Sequence, residues 1–508
     1  MLFNSFAFLF FYLPVVLAGY FWLGQRQARW AAAWLALASL FFYAYWDSRY
    51  LPLLTASICV NYGCGRALVA AAPALRKPWL AGALCANLGL LAYYKYANFF
   101  VDTVNSLGAA HWAVPNIVLP VGISFFTFTQ IAFLVDCYRG EVREYRFIHY
   151  ALFVSYFPHL IAGPVLHHKD MMPQFADPAN CRPLAANFAV GLSIFVIGLA
   201  KKVLIADNIA PMVGPVFAAG AQPQLLEAWL GTLAYTFQLY FDFSAYSDMA
   251  IGLSRLFGVK LPLNFNSPYK ATDISAFWRR WHMSLSRFLR DYLYIALGGS
   301  RAGRLRRYRN LLLTMLLGGL WHGAGWTFVV WGGLHGIYLV IHHAWAYLMA
   351  GSALRRARWW PAAAGAITFV AVMLGWVCFR AADLASAVDV LGALAGGNGI
   401  SLPRGLQAQA HYFAAVGLAP QFDGIRWIDF STPAIPVLMV AMLLAFFAPN
   451  TQEIFFRYEP CIERIVQARG GLAVVWSPSK RWSLACATLF IACVFGMNRV
   501  TEFLYFQF

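Results

Sequence analysis

Apolar runs separated by short basic turns set the pattern of this chain. Residues 6–20, 31–45, 51–69 and 80–94 are apolar, and the turns between them carry Arg26, Arg29, Arg49, Arg76 and Lys77. Residues 118–135 form another run, ending at Asp136-Cys137-Tyr138-Arg139-Gly140, and runs at 188–199, 229–240, 362–379, 435–448 and 484–496 continue the pattern. A helical span takes about 20 apolar residues, so the chain predicts roughly 11 to 14 helical passes or re-entrant pieces. Basic residues gather in cytoplasmic loops. Arg26, Arg76, Lys77, Arg139, Arg143 and Arg146 then face the cytoplasm, and so do Arg355, Arg356, Arg358, Arg457, Arg464, Arg469, Lys480 and Arg481. Both termini and the mixed-charge loop 380–432 are expected outside.

Three stretches break the pattern. Residues 153–166 are too short and too polar for an ordinary span, with Pro158, His159, Gly163 and Pro164, and read as a re-entrant or interfacial piece. His167 and His168 follow and read as a solvated loop, because the further ligands a metal needs cannot be placed beside them. Asp242 and Asp248 lie in an aromatic neighbourhood at 241–248. Two acids at that spacing can exchange protons, or can bond backbone donors and tyrosines where a helix breaks, and the structural role is preferred. Residues 263–269 read as a turn.

Composition narrows the class. Of 508 residues, 61% are hydrophobic and 12% charged, against about 25% charged in soluble proteins, which makes this an integral membrane protein. The net charge of +17 lies between apolar spans and does not indicate nucleic-acid binding. Nine scattered cysteines without a Cys-x-x-Cys pair indicate neither a disulfide framework nor a metal site. The first apolar run has no basic leader and no small-residue cleavage site, and is expected to be retained.

The candidate chemistry lies between Phe277 and His343. Residues 311–340 contain no Asp, Glu, Lys or Arg, and in their middle stands Leu317-Gly318-Gly319-Leu320-Trp321-His322-Gly323-Ala324-Gly325-Trp326. Glycines interrupt the run, predicting two helices or a broken helix around His322. An ionisable side chain at that depth is a functional candidate by default, and a neutral imidazole there suits a general base; the competing role is a structural hydrogen bond. Upstream, Phe277-Trp278-Arg279-Arg280-Trp281-His282 opens a stretch holding nine arginines up to Arg309 against one acid, Asp291. It reads equally as a headgroup-facing loop and as a cradle for phosphates, whose geometry arginine forks match. Signatures of soluble hydrolases, nucleotide-binding loops and dinucleotide folds are missing. No histidine is followed by four residues and then Asp, the arrangement of soluble glycerolipid acyltransferases.

Six motifs carry a resemblance that runs over nearly the whole chain. They are Leu119-Pro120-Val121-Gly122-Ile123-Ser124-Phe125, Phe157-Pro158-His159-Leu160-Ile161-Ala162-Gly163-Pro164, Tyr240-Phe241-Asp242-Phe243-Ser244, Phe277-Trp278-Arg279-Arg280-Trp281-His282, Leu289-Arg290-Asp291-Tyr292-Leu293-Tyr294 and Gly318-Gly319-Leu320-Trp321-His322-Gly323. The chain resembles the membrane-bound O-acyltransferase family, and within it the membrane subunits of alginate, cellulose and peptidoglycan O-acetylation. His167-His168 departs from the alginate pattern of arginine and an aromatic, which bears on the glycan and not on the reaction class.

The resemblance implies an all-α polytopic membrane fold, a ring of tilted helices with re-entrant segments around a central funnel. The whole chain, 1–508, is then one membrane domain with a catalytic core at about 118–345, an extra helix at 483–497 and an outward tail at 498–508. It implies His322 as the catalytic residue and His282 as a second residue needed for activity. Acetyl-CoA would be the cytoplasmic donor, a substrate and not a permanently bound cofactor, held by Arg279, Arg280, Arg287, Arg290 and Trp321. Acetyl would be delivered across the bacterial inner membrane for an exported polysaccharide, with a periplasmic SGNH-type acetyltransferase as partner. The tail Thr501–Phe508 resembles a tail of several such members, and Tyr505 is a candidate covalent relay; the competing role is an interfacial aromatic anchor. Alternatives are a lipid or protein O-acyltransferase of the same superfamily, a transporter using His322 as a proton relay, and an inactive scaffold of an export complex.

Overall fold

The computed structural model describes the chain except residues 109–110, 115–116, 144–145, 302, 416, 418, 423, 425–431, 466–473, 498–502 and 505–508. The described residues form helices and loops, with one isolated bridge between Ser401 and Gln421. Hydrocarbon offers backbone groups no partner, so apolar runs close their own hydrogen bonds as helices. By length and composition, three described helical stretches are long and apolar enough to cross a membrane: Ser48–Ala70, Ala185–Met212 and Trp360–Arg380. Phe8–Gly24, Ala28–Ala44, Leu384–Leu394 and Ala434–Phe447 are shorter apolar helices.

Fewer helices pass that test than the apolar runs predict, and polar residues buried inside the protein are one reason. Seven helices position the site: α1 (Pro73–Leu91), α2 (Ile123–Arg139), α3 (Ala185–Ala200), α4 (Leu225–Leu256), α5 (Arg304–His322), α6 (Trp326–Leu348) and α7 (Trp360–Arg380). The 32-residue α4 buries Gln238, Asp242, Ser247 and Asp248. It faces protein rather than lipid, so its sequence need not be uniformly apolar. It packs on α3 where Gly191 and Gly252 let the two backbones touch; a Cβ on either would strike the other's carbonyl oxygen. Small residues serve this purpose between membrane helices. A polar clasp joins α1 to Leu51–Ala70, where Asn61 and Asn87 exchange amide hydrogen bonds at 2.6 and 3.1 Å.

Three local expectations change, and the segment 153–166 gains detail. The segment 241–248 does not break its helix: α4 runs through it, because lysines from the π-helical turn Lys201–Ala206 neutralise both acids. Lys202 Nζ lies 2.7 Å from Asp242 and 2.9 Å from Asp207, and Lys201 Nζ lies 2.6 Å from Asp248. Thr451 and Gln452 also donate to Asp248. Residues 153–166 contain parts of two short helices, Phe147–Ser155 and Phe157–Leu160, and His159 donates to the Phe153 carbonyl oxygen at 2.9 Å. His167 and His168 are buried rather than solvated, because Tyr292 and Asp136 give them polar partners at 3.3 and 3.1 Å. The loop 380–432 contains the helix Leu384–Leu394, which turns Ala387, Val390 and Ala393 into the core.

Candidate active site

The apolar run around His322 folds as two antiparallel helices. Helix α5 ends at His322, Gly323 to Gly325 form the turn, and α6 begins at Trp326. Gly319 and Gly332 bring the helices into backbone contact, since a Cβ on Gly319 would strike the Phe328 carbonyl oxygen and one on Gly332 that of Met315. The turn places His322 in an aromatic enclosure. Its ring centroid lies 5.0 Å from Trp321, 5.1 Å from Trp331 and 5.3 Å from Phe379, and the residue is 5% exposed.

His282 reaches the same enclosure from another segment. Its ring centroid is 6.2 Å from that of His322, and the residue is fully buried. Its backbone is left-handed, with φ +43°, a conformation costing a non-glycine residue about 1–3 kcal/mol and typical of sites that need a fixed geometry. Asn264 holds it there. The Asn264 backbone carbonyl accepts the Met283 N–H at 3.0 Å, and its side-chain oxygen accepts the Ser284 hydroxyl at 2.8 Å. The same oxygen lies 3.1 Å from His282 Nδ1. Because a carbonyl only accepts, Nδ1 carries the proton and Nε2 presents a lone pair. The predicted turn at 263–269 is therefore the bracket for a site residue.

A third part comes from α1. The helix continues through a π-helical turn, Ala92–Tyr96, a feature common at functional positions. Lys95 Nζ donates to the carbonyl oxygen of Trp321, to that of His322 at 3.2 Å and to Ser124 Oγ at 3.3 Å. Tyr96 donates to the Leu320 carbonyl oxygen at 2.9 Å. Lys95, Ser124, Trp321 and His322 line a cavity of about 100 Å³, completed by residues 119–123, Phe125 and Ile161. Sequence reading missed Lys95, which resembles a cation at a span's end. It also passed over His335, which is fully buried with its ring 4.9 Å from that of Trp331.

The predicted donor-binding residues divide. Trp321 is in the site, stacked on Phe128 at 5.3 Å, and Phe128 stacks on Phe288 at 4.4 Å. Phe288 meets Tyr292 at 5.0 Å, and Tyr292 lies 5.6 Å from the His167 ring. An aromatic column thus joins His322 to the arginine-rich segment. At its far end Tyr292 donates to Asp136 at 2.7 Å, and burial, with Arg287 nearby, holds His167 down to about 4. Arg287 is bound to Asp170 at 2.9 Å and Arg290 to Asp291 at 2.7 Å. Arg279 donates to Ser275 on its own short helix, Ile274–Trp278, and Arg280 is part-exposed.

Tyr505 lies outside the described residues, but Phe503 and Leu504 are described and buried. The Leu504 N–H donates to Asp242 at 2.9 Å. The Phe503 ring meets Tyr246 edge-on at 4.9 Å with the Lys202 ammonium 4.7 Å from its centre. The chain just before Tyr505 is therefore tucked against α4. Phe243, the residue after Asp242, packs 4.9 Å from the His282 ring.

Comparison with known proteins identifies the family. Residues 123–382 match the model of the membrane-bound O-acyltransferase family. The chain is 43% identical over 486 residues to the peptidoglycan O-acetyltransferase of Helicobacter pylori, covering 90% of each chain. It is 46% identical over 391 residues to the probable alginate O-acetylase of Azotobacter vinelandii, covering 76% of each. To that of Pseudomonas putida it is 40% identical over 525 aligned residues, covering 100% of each. With the family's match containing His282 and His322 and relatives aligned over most of the chain, the protein belongs to the membrane-bound O-acyltransferase family.

Proposed function

We propose that this protein is an O-acetyltransferase that takes acetyl from cytoplasmic acetyl-CoA and passes it across the inner membrane for O-acetylation of an exported polysaccharide. The observation that carries the reading is the buried pair His322 and His282, 6.2 Å apart in an aromatic enclosure, in a chain whose relatives are named for glycan O-acetylation.

The chemistry follows from the residues. His322 takes the proton of an acceptor hydroxyl while that oxygen attacks the thioester carbonyl. A C–O bond forms, negative charge builds on the carbonyl oxygen, and collapse breaks the C–S bond. The CoA thiolate leaves with the proton that the imidazolium returns. His282 orients the reacting groups from a bracketed backbone. Trp321 and the aromatic column guide the donor, and Arg279, Arg280, Arg287 and Arg290 hold its phosphates. Tyr505 is the first acceptor, and its acetyl ester is handed to a periplasmic SGNH-type partner and then to the glycan. The docking of Leu504 on Asp242 supports the relay, because it carries the chain to within one residue of Tyr505 on the helix that contacts His282.

The reading is tested by supplying purified protein with acetyl-CoA or a long-chain acyl-CoA and following CoA release. Release from acetyl-CoA is expected. Release from the long-chain donor alone would move the reading to a lipid acyltransferase.

The Asn264 bracket gives a second expectation. Asn264→Ala removes the acceptor at His282 Nδ1 and a partner of Ser284, freeing the ring without touching His322. Misplacing a site group by about 1 Å costs about 100-fold. A loss of that order in kcat is expected, while Asn264→Asp, which keeps an acceptor oxygen, retains more activity than the alanine variant.

A further inference from the structure

Lys95 is a lysine buried in the helical core, 8% exposed, beside the residue proposed to take the proton. Among the described residues its hydrogen-bond partners are neutral oxygens, its ammonium lies 5.9 Å from the centre of the Trp321 ring, and no carboxylate pairs with it. An uncompensated charge at that depth is expensive and marks function. By contrast the buried Lys202 and the part-buried Lys201 each have a carboxylate within 2.7 Å. The fold thus supplies acids to these two lysines and leaves the third with neutral oxygens and an aromatic ring.

Those oxygens explain half of its purpose. The last four carbonyls of a helix have no partner within it. Leu320, Trp321 and His322 are the last three residues of α5, and Tyr96 and Lys95 close all three of their carbonyls. A cation at a helix C-terminus also meets the negative end of its dipole. The His322 backbone is thereby tied to α1. The other half lies in the cavity that Lys95, Ser124, Trp321 and His322 line together. Acyl transfer builds negative charge on the carbonyl oxygen, and preorganised positive charge near it stabilises the transition state more than the ground state.

We propose that Lys95 is a positioning residue for acyl transfer: it clamps the carbonyl end of the His322 helix and gives the adjoining cavity the positive charge that the developing oxyanion needs. This rests on the acyltransferase reading above and adds a residue that no motif singled out.

The test uses full-length protein in detergent and the variants Lys95→Met, Lys95→Arg and Tyr96→Phe. Two quantities are read: kcat and KM for CoA release, and deuterium uptake of the peptide covering residues 318–326. Lys95→Met is expected to lower kcat about 100-fold, the loss typical of misplacing a site group by about 1 Å, with donor KM little changed and faster exchange at 318–326. Lys95→Arg keeps the charge and two-carbonyl reach and is expected to recover about tenfold of that loss. Tyr96→Phe, which frees only the Leu320 carbonyl, is expected to speed exchange at 318–326 less than Lys95→Met does; exchange as fast as in Lys95→Met would assign the clamp to Tyr96 and overturn the proposal. Equal impairment of Lys95→Met and Lys95→Arg, a loss confined to donor KM, or unchanged turnover in Lys95→Met would each overturn the proposal. If Lys95→Met fails to fold, Lys95→Arg decides: activity within about tenfold of wild type supports the charge, and inactivity in a folded variant rejects it. Wild-type protein that releases no CoA would fail the parent reading instead; exchange at 318–326 would then still support the clamp if Lys95→Met speeds it, and reject it if it does not.

Discussion

Replacing His322 by alanine lowers CoA release about 1,000-fold, within the range of general acid–base catalysis and equal to about 4 kcal/mol of barrier. The variant still accumulates in the membrane, because the helix ends are held by other groups. Lys95 and Tyr96 bond the carbonyls of residues 320–322 through the backbone, and those bonds survive loss of the imidazole. The ring is enclosed by Trp321, Trp331 and Phe379, and alanine leaves a cavity among these rings. His322→Gln keeps polarity and size but cannot accept a proton, and is expected to be as inactive as alanine. An active His322→Gln would reassign the histidine to hydrogen bonding and rule it out as the base.

Replacing Tyr505 by phenylalanine abolishes transfer to the glycan while leaving the tail docked. Phenylalanine keeps the ring but has no oxygen to form an acetyl ester. Docking depends on the Leu504 N–H on Asp242 and on the Phe503 ring between Tyr246 and Lys202, none of which involves the phenol. The expected result is a loss of glycan acetylation of about 100-fold or more, since a missing covalent step is not replaced by binding, with the variant's protein level unchanged. Glycan acetylation at the wild-type level in Tyr505→Phe would reduce the tail to an aromatic anchor. Deleting the last eight residues is a less informative test, because it also removes Phe503 and Leu504 and leaves Lys202 and Asp242 without their tail contacts.

The features legible in the sequence are those in which one residue type at one depth has one explanation. A histidine in thirty residues without Asp, Glu, Lys or Arg, bordered by glycines, marks both a turn between helices and a site, and α5 and α6 meet there. The link between His322 and His282 came from resemblance, since forty residues of intervening chain give no local sign that their rings lie 6.2 Å apart. The structural role of the acids at 241–248 is legible, but their setting reads as a helix break because their partners, Lys201 and Lys202, stand forty or more residues away and read as loop charges. His167 and His168 were placed in solvent for the same reason: Asp136 and Tyr292, which make their burial tolerable, belong to distant segments. Lys95 was hidden by its neighbours. A lysine among tyrosines at the end of an apolar run fits an interfacial position, and only the path of α5 shows that carbonyls meet it inside. Asn264 reads as turn chemistry, and its role depends on the left-handed backbone at His282 that no pattern announces.

The most direct test of the central claim gives purified protein isotopically labelled acetyl-CoA and examines the C-terminal peptide by mass spectrometry, comparing wild type with His322→Ala and Tyr505→Phe. The account predicts labelled acetyl on Tyr505 in the wild type and none in either variant. Label on Tyr505 that persists without His322, or CoA release with no label on the peptide, would contradict it.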